Sequence, residues 1–290
     1  MVDLLQIFCV CDDFCVVFSK AFAQCALSDG KIADLNPAPH FSNGEMLTIL
    51  IAFHLSGFHD FKHFYAHIQA YCSREFPRLP SYNRFVELMP GAAIFLFAML
   101  KSMVGECTGT SFIDATALAV CKNKRISSHK VFKLLARRGK TSMGWFYGFK
   151  LHLVINDSGQ ILDFTLTQGN VDDRTVVPQI LRDVWGKVFG DKGYISKELF
   201  NRMMEAGRQL FTSLRSNMKP AIVTLDVSDG LSRRSLIESV FNVLKNSCRI
   251  EHSRHRSPRN FVVNLLAGMC GYMMRFLCGV KGDARIQAPA

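Results

Sequence analysis

The sequence predicts a mixed α/β domain preceded by an all-helical one. Three observations predict it. Apolar residues recur at three- and four-residue steps through the first hundred positions, they alternate with polar residues from about residue 110, and further strands then interleave with helical segments. The change of pattern near residue 106 divides the chain into a helical region spanning residues 1–105, an α/β region spanning 106–280 and a tail of 281–290. The chain has 290 residues, 49% of them hydrophobic, which is enough to bury a core and excludes disorder.

In the helical region, Met46–Leu55 opens after Ser42 and Asn43, either of which can cap it, with Glu45 in the first turn. Phe58, Phe61, Phe64, Tyr65 and Ile68 mark one face of a second helix. His59, His63 and His67 form a neighbouring stripe. Their spacing allows a metal, but no carboxylate or cysteine joins them in register, which favours a polar face toward solvent or DNA. Pro77 and Pro80 punctuate before a short helix Ser81–Met89, and Pro90–Gly91 breaks the chain again before Ala92–Val104.

In the α/β region, Thr110–Ile113 reads as a short strand ending at Asp114. Gly148–Asn156 and Ile161–Thr167 alternate around the turn Asp157–Gly159 and form a hairpin. Asp172 or Asp173 can cap a helix running to about Trp185. Lys187–Gly190 is a strand ending at Asp191, Ser196–Ala206 a helix, Gln209–Leu214 a strand and Ser235–Lys245 a helix.

Three apolar stretches test membrane insertion. Met46–Leu55 and Gly91–Leu100 are too short to span. Val262–Val280 is interrupted by Asn264 and Arg275 and diluted by glycines. The expectation is buried helices of a soluble protein with no membrane partner. Met1–Val10 carries Asp3 and no Lys or Arg, unlike a signal peptide. The 10 cysteines sit mostly in apolar runs and read as reduced, buried thiols. Cys9, Cys11 and Cys15 lack a second pair, and Cys248, His252 and His255 lack a fourth ligand, so the spacing of structural zinc is missing.

Charge points to a polyanion. Lys plus Arg number 35 against 24 acids, a net +11. No acid lies between Asp114 and Asp157, a stretch that holds Lys122, Lys124, Arg125, Lys130, Lys133, Arg137, Arg138, Lys140 and Lys150, with Trp145, Phe146 and Tyr147 among them. A second run, Arg249, Arg254, Arg256 and Arg259, is broken only by Glu251. A phosphate backbone explains such runs better than a solvated face.

Three acids could carry chemistry. Asp114 and Asp191 each follow a strand, where ligands gather in α/β sheets, although a turn aspartate is the plain alternative. Glu238 is the only acid between Gly230 and Ile250. It sits on a helix whose apolar face is Leu236, Ile237, Val240, Phe241 and Leu244, with Arg234 four residues before it and Lys245 seven after. It is either an ion-pair partner for Arg234 or a third metal ligand flanked by phosphate-gripping cations. Three carboxylates suit Mg²⁺ or Mn²⁺, and two such ions about 3.5–4 Å apart can drive phosphodiester cleavage or strand joining. No Gly-x-x-x-x-Gly-Lys-Ser/Thr loop for nucleotide hydrolysis is present.

The segments Phe112–Leu118, Met143–His152, Gly169–Arg174, Gly190–Ile195, Ile237–Ser239 with Leu244–Asn246, and Ile250–Ser257 resemble the DDE transposases of the insertion-sequence-982 family. Asp12–Cys15, Phe53–Gly57, Phe61–Tyr65 and Ser81–Phe85 are similar too, so the resemblance covers nearly the whole chain in order. It implies an RNase H-like catalytic domain, a pair of Mg²⁺ or Mn²⁺ ions, and double-stranded DNA cut at terminal inverted repeats and joined to target DNA. It further implies a homodimer that holds two ends, in the bacterial cytoplasm at the nucleoid. Carried over by position, Asp114, Asp191 and Glu238 would be both catalytic and metal-ligating, while Asp172 and Asp173 stay helix-capping residues. Lys192, Arg234, Lys245, Arg254 and Arg256 join the nine cations of the first basic run as DNA contacts. Thr224–Ser235 departs from the family, with Asp226, Asp229 and Gly230 where more Lys and Arg are expected. A metal-dependent nuclease that does not join strands and an inactive DNA-binding protein are the alternatives.

Overall fold

The computed structural model describes residues 3–27, 41–212 and 225–278, which fall into two units. One takes the N-terminal residues through Met103 together with Leu244–Ile250 and the segment beginning at Arg256. The other runs from Val104 to Val243 and takes in Glu251–His255.

The helical unit contains α1 (Leu4–Leu27), α2 (Asn43–Leu55), α3 (Phe61–Tyr71), α4 (Tyr82–Leu88), α5 (Ala92–Ser102) and α10 (Pro258–Leu277). Ser42 starts α2 through a capping box: its hydroxyl accepts from the Glu45 amide at 3.0 Å while the Glu45 carboxylate accepts from the Ser42 amide at 2.7 Å. Nearly every residue of α2 is buried, as expected for a helix apolar on all sides. Asp60 caps α3 and also takes the His63 ring at 2.5 Å. His59 therefore lies before the helix, and His67 stacks against Phe58 and Tyr71. The histidine stripe is not one helix face.

The last helix falls with the helical unit, although it lies within residues 106–280 of the sequence. Pro258–Leu277 packs on α2 and α5 in the helical unit. It is apolar nearly all round, and the faces of α2 and α5 give that surface a place to bury. Pro258–Leu277 and Tyr82–Ser102 are long and apolar enough to cross a membrane by length and composition alone. They are weak candidates: α10 is mostly buried within its unit, and the second segment is broken by a 3₁₀ turn at Met89–Gly91. Gly279 and Val280, expected in the same helix, and the tail 281–290 lie outside the described residues.

The α/β unit is built on β1 (Thr110–Cys121), β2 (Arg137–Thr141), β3 (Gly144–Asn156), β4 (Ile161–Gln168), β5 (Gly186–Gly190) and β6 (Arg208–Thr212). The sheet order is β2-β3-β1-β5-β6, and β4 also pairs with β3. The β4, β3 and β1 strands are antiparallel, whereas β1, β5 and β6 run parallel, so the sheet is mixed. Helices α6 (Val177–Ile180), α7 (Lys197–Glu205), α8 (Leu225–Ser232) and α9 (Ser235–Asn242) complete the unit. Ile113, Val154, Val188, Leu199, Met203 and Leu210 belong to one core cluster that joins the sheet to α7.

Three expectations shift. β1 does not stop at Asp114: the small, β-compatible residues that follow continue the ladder with β3 as far as Cys121, so Asp114 lies inside the strand. A segment of the basic run forms β2, which no alternation of apolar residues announces. The helix expected from Asp172 to Trp185 is only a 3₁₀ turn and the four residues of α6; Leu181–Val184 continues as a turn in which the Val184 amide bonds back to the Leu181 carbonyl. The last two residues of the expected Gln209–Leu214 strand lie outside the described residues.

Candidate active site

Asp114 and Asp191 are aligned by one ladder. Phe112 pairs with Phe189 across the parallel strands β1 and β5, and each aspartate stands two residues further on. With a side-chain period of two, both carboxylates leave the same face of adjacent strands. Asp114 accepts from the Ala115 amide at 2.8 Å, and Asp191 from the Lys192 amide at 2.6 Å. α9 brings the third acid. Its buried face, Ile237, Val240 and Phe241, packs this helix beside β1 and leaves Glu238 exposed on the opposite side.

The three carboxylates converge on one guanidinium. Arg234 lies 3.0 Å from Glu238, 3.7 Å from Asp191 and 3.8 Å from Asp114. Its side chain is only 20% exposed. Acids from strand β1, from the residue just after β5 and from a helix thus surround a single positive charge. As placed, no three His, Cys, Asp or Glu side chains among the described residues have the closeness of a metal shell. Burial pushes the Asp114 carboxyl up to about 6, the Ala115 amide and Arg234 pull it down, and the charges of Asp191 and Glu238 push it up again. Hard oxygen donors gathered on one cation are the donor set that Mg²⁺ or Mn²⁺ takes, so these residues fit a divalent ion.

Beneath this cluster lies a polar group that sequence reasoning missed. Tyr194 is buried and its hydroxyl has no hydrogen-bond partner among the described residues. Burial, then the charges of Asp114, Asp173 and Asp191, hold its phenol well above the ordinary range. The signal was present in Gly190–Ile195, where a lone aromatic follows Asp191 among small and charged residues.

The family model for the transposase DDE domain matches residues 104–258, just over half of the chain. The chain belongs to the transposase DDE-domain family. A cryo-EM structure of the piggyBac transposase synaptic complex with hairpin DNA is similar to this DDE-domain protein in fold, with a TM-score of 0.51 at 9% identity, covering 99% of this chain and 78% of that one. No curated protein matches the sequence.

Most of the basic residues lie exposed on this DDE domain. Lys122, Lys124, Arg125, Lys130 and Lys133 occupy the connection after β1, while Arg137, Arg138 and Lys140 lie on β2. Lys192 and Arg254 are exposed in the same unit; exposed Arg256 and half-buried Lys245 belong to the helical one. Two of the assigned residues are engaged within the protein. Lys150 is largely buried and donates to Asp173 at 2.8 Å and to the Val171 carbonyl at 2.9 Å, so it ties β3 to the loop after β4. Arg234 faces carboxylates rather than open solvent. Asp173 is accordingly the partner of Lys150, and only Asp172 caps, accepting from the Arg174 amide. Glu251, which in the sequence merely interrupts a basic run, accepts from the Ala119 amide at 2.8 Å where the β1–β3 register shifts.

Proposed function

We propose that the chain is an insertion-sequence transposase of the 982 type whose RNase H-like domain cuts and joins DNA at terminal inverted repeats. The observation that carries this reading is the convergence of Asp114, Asp191 and Glu238 on the single cation Arg234. The sheet order, with an antiparallel half and a parallel half meeting at the strand of Asp114, supports the RNase H-like assignment. The similar piggyBac structure is a transposase with hairpin DNA, which supports DNA as the partner.

In this reading Asp114, Asp191 and Glu238 hold two Mg²⁺ or Mn²⁺ ions, which would activate the attacking oxygen and stabilise the leaving oxygen. Asp114 is set inside β1 and therefore fixes the position of the group. Asp191 and Glu238 are more exposed and adapt to it. Arg234, released from the acids, would be free to pair with a phosphate of the DNA. The exposed cations of the β1–β2 connection grip the flanking backbone. A homodimer holds two element ends, and the protein works at the bacterial nucleoid.

The test uses purified protein, Mg²⁺ and duplexes ending in the element's own terminal repeat. Asp114→Asn, Asp191→Asn and Glu238→Gln are each expected to lower cleavage by at least about 100-fold while melting and DNA binding stay near wild type. Cleavage retained in one variant removes that residue from the site. Supplying a free 3′-hydroxyl end separates joining from plain hydrolysis.

A further inference from the structure

The β2–β3 hairpin carries an aromatic surface that the cleavage chemistry does not use. Trp145 is 51% exposed at the start of β3. It pairs in register with Lys140, and the diagonal neighbour Arg138 lies on the same face of the sheet. The Arg138 guanidinium carbon is 4.9 Å and the Lys140 ammonium 5.7 Å from the indole centroid. The Asn123 side chain donates to the Trp145 carbonyl at 2.6 Å, fixing the strand beneath the ring. Beside it opens a shallow cavity of about 330 Å³ whose lining includes Cys121, Lys122, Phe146 and Glu251. The lining holds one acid, Glu251, which accepts from the Ala119 amide, and one Lys, Lys122.

We propose that Trp145 is a stacking platform for an unpaired nucleotide of bound DNA, with Arg138, Lys140 and Lys122 neutralising its phosphates. The exposed indole offers a flat apolar face, which every base can cover. Cations at the ring strengthen its hold on an anionic ligand and disfavour an acid-free peptide partner. A base inside a duplex has both faces covered by its neighbours, so only an unpaired or terminal one offers a face to the ring. The inference rests on DNA being the partner in the function proposed above, but not on catalysis.

The chain has two tryptophans, so Trp185→Phe leaves Trp145 as the sole indole reporter. This protein, full length, is titrated without divalent ions with a blunt duplex and with the same duplex bearing a short 3′ single-stranded overhang. The expected result is stronger quenching and tighter binding with the overhang. Trp145→Ala should weaken overhang binding by about 5- to 150-fold and blunt binding far less, with Trp145→Phe in between. Melting of each variant shows that a half-exposed side chain has been removed without loss of the fold. Equal quenching by both duplexes, or an overhang preference that survives Trp145→Ala, overturns the platform and leaves the proposed function standing. Failure to bind either duplex overturns both.

Discussion

Arg234 donates to Glu238 at 3.0 Å across one turn of α9, and the same guanidinium reaches the two aspartates of the sheet. One side chain therefore balances three negative charges that would otherwise repel one another in a partly buried place. It is a built-in cation standing where the chemistry of the acids calls for a positive charge.

Removing that charge should expose the repulsion. Without divalent ions, Arg234→Gln is expected to lower the melting temperature by a few degrees, since about 1 kcal/mol moves a domain of this size by about 2–4 °C. Added Mg²⁺ should then raise the melting temperature of the variant more than that of wild type. Scanning calorimetry with and without MgCl₂ reads this directly, and equal Mg²⁺ shifts would sink the idea.

Gly230 stands where no side chain fits. A Cβ there would come within 2.1 Å of the Phe189 ring, which belongs to the strand that leads to Asp191. Gly230→Ala should cost about 1–3 kcal/mol through overpacking, seen as a lower urea midpoint with an unchanged slope. An unaltered midpoint would mean that α8 moves away at little cost.

Burial of His152 should make the fold sensitive to acid. Its imidazole is fully buried, accepts or donates at 2.8 Å with Thr167, and is pushed down to about 4 by burial, partly offset by Asp173 and reinforced by Lys150. Between that value and the ordinary 6.5, the unfolded chain binds a proton that the native state refuses. Stability should therefore fall as pH drops from 6.5 toward 4, by on the order of 2–3 kcal/mol. Asp114, raised to about 6, works in the opposite sense over part of that range, so the comparison is between wild type and His152→Gln. The variant should lose part of the acid slope in urea titrations at stepped pH; identical slopes would refute the assignment.

Under the proposed function the basic residues divide into exposed ones that would grip DNA and a buried one, Lys150, that holds the fold. Neutralising Lys122, Lys124 and Arg125 together should flatten the dependence of log affinity on log salt by about 0.9 for each phosphate no longer neutralised. Lys150→Met should leave that slope unchanged and instead lower stability, because Asp173 loses its partner. Asp173→Asn in the same chain should restore some of that stability. Filter binding across salt concentrations, paired with denaturant titration, tells the two classes apart.

Much of this arrangement was legible in the chain. Ser42 with Glu45, Ser81 and Ser196 each begin helices as their side chains dictate, and the hairpin around Asp157–Gly159 follows from strict alternation. Asp191 could be placed at a strand end because glycines bracket it. Asp114 could not be placed as accurately, since Ala115 and Ala117 carry no turn signal and the ladder with β3 simply continues. β2 was hidden because its residues, Arg137–Thr141, have no apolar alternation; its pairing is imposed by β3. The role of Lys150 was equally invisible, because a buried cation and a solvated one look alike until the partner, Asp173, is seen in space. Spacing linked Arg234 to Glu238, but nothing local showed that two more acids would meet the same guanidinium.

The shared register of β1 and β5 acts as a ruler for the two aspartates. Their distance apart is set by a count of two from a common rung, not by the length of chain between them. Residues added to the loops that join the strands leave that distance untouched. One residue added between Phe189 and Asp191 would turn the second carboxylate to the back of the sheet, so tolerance to insertion should end sharply at that rung.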